Sequence, residues 1–372
     1  MNIAKIFDRL NAKVIATVLI TKVIILGFAY QAYQIVTDQP LVGIYRFFEI
    51  WRRWDADNYL RLAEQGYSSV GDQRFLIVFF PLFPGLSALV SLVTGDALIA
   101  AFVVTTLASV VLGLVFHRLV RLDHSERVAQ MSVLFLFIFP TSYFLHIPYT
   151  ESLFLALVIG SFYAARSRMW IVAGILGGLA CMTRINGLVL IPALAFEVWA
   201  EYRETKQIDR RWAALMMIPA GFGLYLGLNY YVAGDPLKFL VYQREHWYKY
   251  LRLPIYGLWE TYKTAVTDHP EPAQTHGFQE LLFVAIGLFA TAAGWRHLRL
   301  SYRVWMAGNW LLFVSTSFVL SVPRYTLILF PMFILMAAAA VRNWSLNVLF
   351  LVWSILFLGV FVVQFVRGLW AF

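Results

Sequence analysis

The chain has 372 residues, of which 60% are hydrophobic, 17% aromatic and only 14% charged. Soluble domains are about a quarter charged, so this composition excludes an ordinary soluble enzyme, and apolar runs of bilayer length recur throughout. The net charge of +9 sits largely in short connections between those runs, the distribution that orients spans in a membrane. It therefore gives no argument for nucleic acid as a partner.

In chain order, a basic lead, MNIAKIFDRLNAK, precedes an apolar stretch from Val14 to Tyr30. That lead lacks a small-residue cleavage site, so the stretch is expected to remain as a first span rather than leave as a signal. The expected architecture is an all-α polytopic membrane protein of about eleven transmembrane helices. The spans fall near 13–36, 86–116, 128–145, 150–165, 169–182, 185–200, 213–232, 279–294, 304–321, 326–341 and 346–367. Between the first two lies RRWDADNYLRLAEQGY (52–67), in which 58–65 reads as helical: Tyr59, Leu62 and Ala63 form its stripe and Gly66 its stop.

Alternating the sides sorts the polar residues. Lys5, Arg9 and Lys13 share one side with 117–127, Arg166, Arg168, 201–211 and 295–303, and these short basic connections read as cytoplasmic. Two long segments, 37–85 and 233–278, fall on the other side with the links near 141–150, 183–185 and 322–325. The stretches RRWDADNY, FFPLFP (79–84), FPTSYFLHIPYTES (139–152), TRING (183–187), QREHWYKY (243–250) and PRY (323–325) therefore share the outer face. A single domain, 1–372, is expected, with the two long outer loops building an outward site. The lone cysteine, Cys181, lies in an apolar run, so there is no intramolecular disulfide.

Asp55 and Asp57 are the first chemical candidates. On a helix starting near Asp55, residues two apart point about 200° apart. Asp57 then stands one turn before Arg61, the spacing of an exposed ion pair. Asp55 has no base three or four residues on, although Arg52 lies three before it. It reads equally as a helix cap and as a carboxylate aimed into a cleft. Arg184 and Arg324 border apolar spans, where charge is expensive and commonly functional, the bland reading being snorkelling to the headgroups. Glu151 and Asn186 open spans, so capping competes with substrate contact. Trp54, Tyr59, Trp247 and Tyr248 suit either a sugar face or an interfacial aromatic belt. Arg244, His246 and Lys249 are further candidate phosphate cations, in a polar loop where a solvated face is the plainer fate.

Trp54-Asp55-Ala56, Tyr59-Leu60, Ala63, Gly66-Tyr67 and Phe79-Phe80-Pro81-Leu82-Phe83-Pro84 resemble the PIG-V type mannosyltransferases. That family comprises the GPI mannosyltransferase 2 group and its prokaryotic relatives among the membrane-embedded GT-C glycosyltransferases. Phe139-Pro140, Tyr149-Thr150-Glu151-Ser152, Thr183-Arg184 with Asn186-Gly187, and Arg324-Tyr325 with Pro331 follow in the same order. The resemblance implies a GT-C architecture with a helical first outer loop. It also implies transfer of a hexose, mannose in most members, from a polyprenyl-phosphate donor to an acceptor hydroxyl on a lipid or glycan. The family's first outer loop carries the acidic residue that acts as base, and it falls on Asp55. Substrate contacts are expected from Arg184, Arg324, Glu151, Asn186, His246, Trp54 and Tyr59, with neither metal nor cofactor. The one sequon, Asn343-Trp344-Ser345, falls on the cytoplasmic side, which favours a prokaryotic relative in the cell membrane over an endoplasmic reticulum enzyme.

Three rivals stay open at this point. A transporter requires charges near the midplane of broken spans, whereas here they concentrate at one face. Another lipid-linked glycan enzyme, of the protein O-mannosyltransferase, aminoarabinose transferase or ligase type, differs in its acceptor. A metal-dependent version would use Asp55, Asp57 and Glu151 as oxygen ligands.

Overall fold

The structure, a computed structural model, describes residues 3–38, 40–267 and 272–372. The side chains of residues 3–9 and 272–276 are outside the described set, so Lys5, Arg9 and part of the segment 233–278 are not tested. The regular secondary structure of the described residues is helical, apart from one isolated bridge between Leu251 and Thr316. The long first helix α1 (Ile3–Thr37) leads to a short α2 (Ile44–Glu49) and to α3 (Asp55–Gln65), which ends at Gly66 with a positive φ of 71°. A 3-10 turn (Asp72–Val78) and α4 (Leu82–Thr94) follow, bent 114° from each other. Then come α5 (Ala97–Arg121), α6 (Glu126–Ile138), α7 (Glu151–Arg166), α8 (Trp170–Cys181), α9 (Leu190–Thr205) and α10 (Met217–Ala233). The second long segment carries α11 (Lys238–Glu245) and α12 (Pro254–Thr267), before α13 (Pro272–Gly294) and α14 (Leu300–Val314). The chain closes with α15 (Val322–Tyr325), α16 (Pro331–Arg342) and α17 (Trp344–Val366).

Helix length and composition do not reproduce the expected eleven crossings. Among the described residues, six helices are long and apolar enough to span a membrane, or up to eight if each of two bent pairs is one span. The expected span 86–116 is cut at Gly95-Asp96. Gly95 adopts the left-handed conformation that ends α4, and the Asp96 side chain accepts from the Ile99 N–H at 2.8 Å to start α5. The runs near 128–145, 150–165, 169–182 and 304–321 form helices of only 12–16 residues. A crossing needs about 20. Almost every residue of α7 is buried, as expected for a helix apolar all round at the centre of a bundle.

The two ends of the bundle carry different networks. α7 has 16 residues, so Glu151 and Arg166 at its termini are about 22 Å apart along the axis. At the Arg166 end, its guanidinium grips Asp123 at 2.5 and 2.7 Å and reaches the Tyr302 hydroxyl. Nearby connections add Arg168 with Glu201 and Glu204, Arg299 and Ser301 on Glu197, and the Trp170 and Trp212 indoles donating to Glu201. The connections assigned to one side by their charge thus meet at one end. The motif-bearing stretches meet at the other.

Candidate active site

Four charged side chains from four separate stretches converge at that second end. Arg324 Nη1 donates to Asp55 Oδ2 at 2.9 Å, and its Nε lies 3.3 Å from Glu151 Oε1, within ion-pair range though not in hydrogen-bond geometry. Arg184 Nη1 donates to the same Glu151 oxygen at 2.5 Å and to Thr150 Oγ1 at 3.0 Å. Two carboxylates balance two guanidiniums, and the carboxylates differ in access: the Glu151 side chain is 1% exposed and that of Asp55 29%. Aromatic rings wall the cluster. Phe144, Tyr149 and Tyr325 lie under the Arg324 guanidinium at 5.2–5.4 Å, and Tyr325 also faces Arg184 at 5.1 Å.

Local structure explains the positions of Asp55 and Arg324. Asp55 is the first residue of α3, and its carboxylate reaches Arg324 instead of capping the helix. The residue before it, Trp54, holds φ 52° and ψ −124°, a conformation that is strained for a bulky side chain. Neighbours impose it: Tyr149 Oη donates to the Arg53 carbonyl at 3.0 Å, and fully buried Trp51 packs on Phe365 and Tyr143. Arg324 is presented by an anchored turn. Ser321 sits at φ 67°, and the buried Glu280 carboxylate accepts from the backbone N–H groups of Ser321 at 2.6 Å and Val322 at 2.7 Å. Thr141 Oγ1 then donates to the Pro323 carbonyl at 2.8 Å.

The structure sorts the remaining expected residues. Tyr59 is buried edge-on against Phe79, Phe83 and Tyr149. Burial, and then the charge of Asp55, pushes its phenol well above the usual range, so it stays protonated. Trp54 is exposed and packs its edge on Trp370 at 5.0 Å. Asn186 and His246 do not join the cluster. Asn186 is buried with its amide donating to Asn309 Oδ1 at 2.9 Å, while His246 is exposed and stacked on Phe75 at 4.1 Å.

Glu151 is neither a cap nor a solvated acid: it is the bridge between the two arginines. The Asp57–Arg61 pair does not form. Asp57 accepts from Arg52 Nε at 2.7 Å and Arg61 donates to Gln73 instead, so the two aspartates do diverge, each to its own arginine. Lys249, read from its loop as solvated, instead lies 5.5 Å from the Tyr325 ring centroid with Nζ 3.4 Å from the Leu320 carbonyl. Glu280 was missed altogether. Its signal, an acid at the mouth of an apolar run, is present in the sequence.

Comparison with known proteins bears on the sequence family and the fold. Residues 81–225 match the family model described as dolichyl-phosphate-mannose-protein mannosyltransferase. GPI alpha-1,6-mannosyltransferase 2 of Mus musculus is 30% identical over 180 residues, covering 45% of this chain and 36% of that protein. The chain therefore spans about a third of that curated relative's length. Among solved structures, ArnT from Cupriavidus metallidurans bound to undecaprenyl phosphate superposes with a TM-score of 0.54 at 16% identity, covering 88% of this chain and 60% of that one. The apo Archaeoglobus fulgidus oligosaccharyltransferase gives 0.52 at 12% identity, covering 95% and 56%. The matched segment 81–225 and the curated relative are thus similar to mannosyltransferases, and the all-helical fold is similar to those of ArnT and the oligosaccharyltransferase.

Proposed function

We propose that the chain transfers a hexose, most simply mannose, from a polyprenyl-phosphate donor to an acceptor hydroxyl, with inversion, at the extracytoplasmic end of the bundle. The observation that carries this reading is Arg324 shared between a partly exposed carboxylate, Asp55, and a buried one, Glu151, with Arg184 beside it. Inverting transfer needs one base and a cationic cradle for the departing phosphate, and the cluster holds both. The ArnT structure holds undecaprenyl phosphate, and we extend that ligand class to this chain.

In this mechanism the donor phosphate engages Arg184 and Arg324, whose forked donors suit its oxygens. Arg324 Nη1 exchanges Asp55 for the phosphate while Glu151, on the Nε side, holds the guanidinium's position. Asp55 then takes the acceptor's proton as the acceptor oxygen bonds to the sugar's C1. The C1–O bond to phosphate breaks on the opposite face, and the phosphate leaves with the electron pair. A hydrolase would place a second carboxylic acid at the leaving oxygen; here arginines occupy the corresponding role. The membrane follows the organism: the cell membrane of a prokaryote, or the endoplasmic reticulum of a eukaryote.

Purified protein with radiolabelled polyprenyl-phosphate mannose should release polyprenyl phosphate and form an inverted glycoside, and a nucleotide sugar should not replace the donor. Arg184→Ala and Arg324→Ala should each lower turnover by about a hundredfold to a thousandfold, with lysine restoring only part. Full activity in both alanine variants would remove these residues from the site. Product formation from the nucleotide sugar alone would refute the donor class.

A further inference from the structure

Beside the first turn of α3, on the Asp57 side, lies a cavity of about 250 Å³ separate from the four-charge cluster. Arg46, Arg52 and Arg53 line it together with Glu49 and Asp57. Two internal pairs form, Arg46 Nη1 to Glu49 at 2.8 Å and Arg52 Nε to Asp57 at 2.7 Å. The lining itself holds three guanidiniums and two carboxylates, with Glu64 outside it also acting on Arg52. Arg53 is the lining arginine without a carboxylate partner among the described residues: its Nη2 reaches the Val366 carbonyl at 3.4 Å and its buried Nε has no hydrogen-bond partner. Buried charged donors without partners are rare in folded proteins and call for a ligand or ion.

The cavity lies where α1 ends and α2 begins, and the chain there exposes Val42, Ile44 and Tyr45. Exposed apolar side chains next to arginines fit the headgroup level of a bilayer, with the former in acyl chains and the latter on phosphate. The volume falls below the roughly 300–1,000 Å³ of sites that enclose a whole small molecule, which suits the polar part of a larger one. We propose that this cavity is a subsite for the phosphodiester of an anionic phospholipid headgroup, held by Arg46, Arg52 and Arg53. Its lining shares no residue with the Asp55, Glu151, Arg184 and Arg324 cluster, so it is not the proposed donor site, and it does not depend on the transfer reaction proposed above.

Native mass spectrometry of the full-length protein in detergent tests it, with phosphatidylglycerol, phosphatidylcholine and inorganic phosphate as probes. Phosphatidylglycerol should be retained over phosphatidylcholine, and Arg53→Gln and Arg46→Gln should each weaken that retention about tenfold. Arg46 is exposed, so its variant reports on binding even where Arg53→Gln folds poorly. Arg184→Ala, at the other cluster, should leave retention unchanged. Equal retention of the two lipids, or undiminished preference in both glutamine variants, would overturn the proposal. Displacement of the lipid by low millimolar inorganic phosphate would assign the cavity to a free anion and overturn the lipid source.

Discussion

At the scale of single residues, Glu151 organises the site without being reachable from outside. It is buried, and one oxygen faces both Arg184 and Arg324. Removing a member of a buried ion network leaves uncompensated charge, at a cost of about 3–5 kcal/mol. Glu151→Gln should therefore lower thermal stability by about that much, whereas a comparable change at Asp57, paired with Arg52 near solvent, should stay within about 1 kcal/mol. Thermal unfolding in detergent measures both, and an unaltered Glu151→Gln protein would deny Glu151 its bridging role. Residue-level chemistry was legible in part. The ordered motifs pointed to Asp55, Glu151, Arg184 and Arg324, but no sequence rule brings Asp55 to Arg324 across 269 positions. The i,i+4 rule favoured Arg61 for Asp57, and it failed because Arg52, just before the helix, approaches from a different direction.

At the scale of elements, the architecture depends on close backbone approaches between α8 and α10. A Cβ built on Gly178 would lie 2.6 Å from the Met217 carbonyl oxygen, and one on Gly221 would lie 2.1 Å from that of Gly178. Small residues allow such approaches in membrane bundles. Gly221→Leu should force the helices apart and destabilise by about 1–3 kcal/mol or more, while Gly223→Ala, with nothing within 4 Å, should be neutral. Equal stability of the two variants in the same unfolding assay would contradict this packing. The break between α4 and α5 was readable too, since Thr94-Gly95-Asp96 carries both a stop and a cap. Hydropathy outweighed it because both flanks are apolar. The short central helices hid for the opposite reason: a run fully buried in protein looks the same in composition as one that faces lipid.

At the scale of the whole molecule, the two polar ends define the account. The network of Asp123, Arg166, Glu197, Glu201 and Arg299 joins the connections whose basic character is expected of the cytoplasmic side. The other end holds Asp55, Glu151, Arg184 and Arg324. Cysteines placed at Ser69 and Thr205 should therefore label from opposite sides with an impermeant maleimide, and buried Cys181 should not compete. Labelling from the same side would break the link between charge and orientation. The grouping of the basic connections at one end does not depend on the span count, because they were identified by their charge and not by helix length.

The central claim is that Asp55 works as the base while Asp57 holds the loop through Arg52. The measurement that tests it most directly compares Asp55→Asn and Asp57→Asn in mannose transfer from the polyprenyl-phosphate donor, with and without chelator. Asparagine keeps the shape of the carboxylate but cannot take a proton at neutral pH. Loss of a positioned base costs on the order of a hundredfold or more, so Asp55→Asn should fall at least that far. Asp57→Asn should stay near wild type, with chelator changing neither result. Turnover abolished by Asp57→Asn and spared by Asp55→Asn would contradict the account, as would a wild-type enzyme that dies in chelator together with both variants.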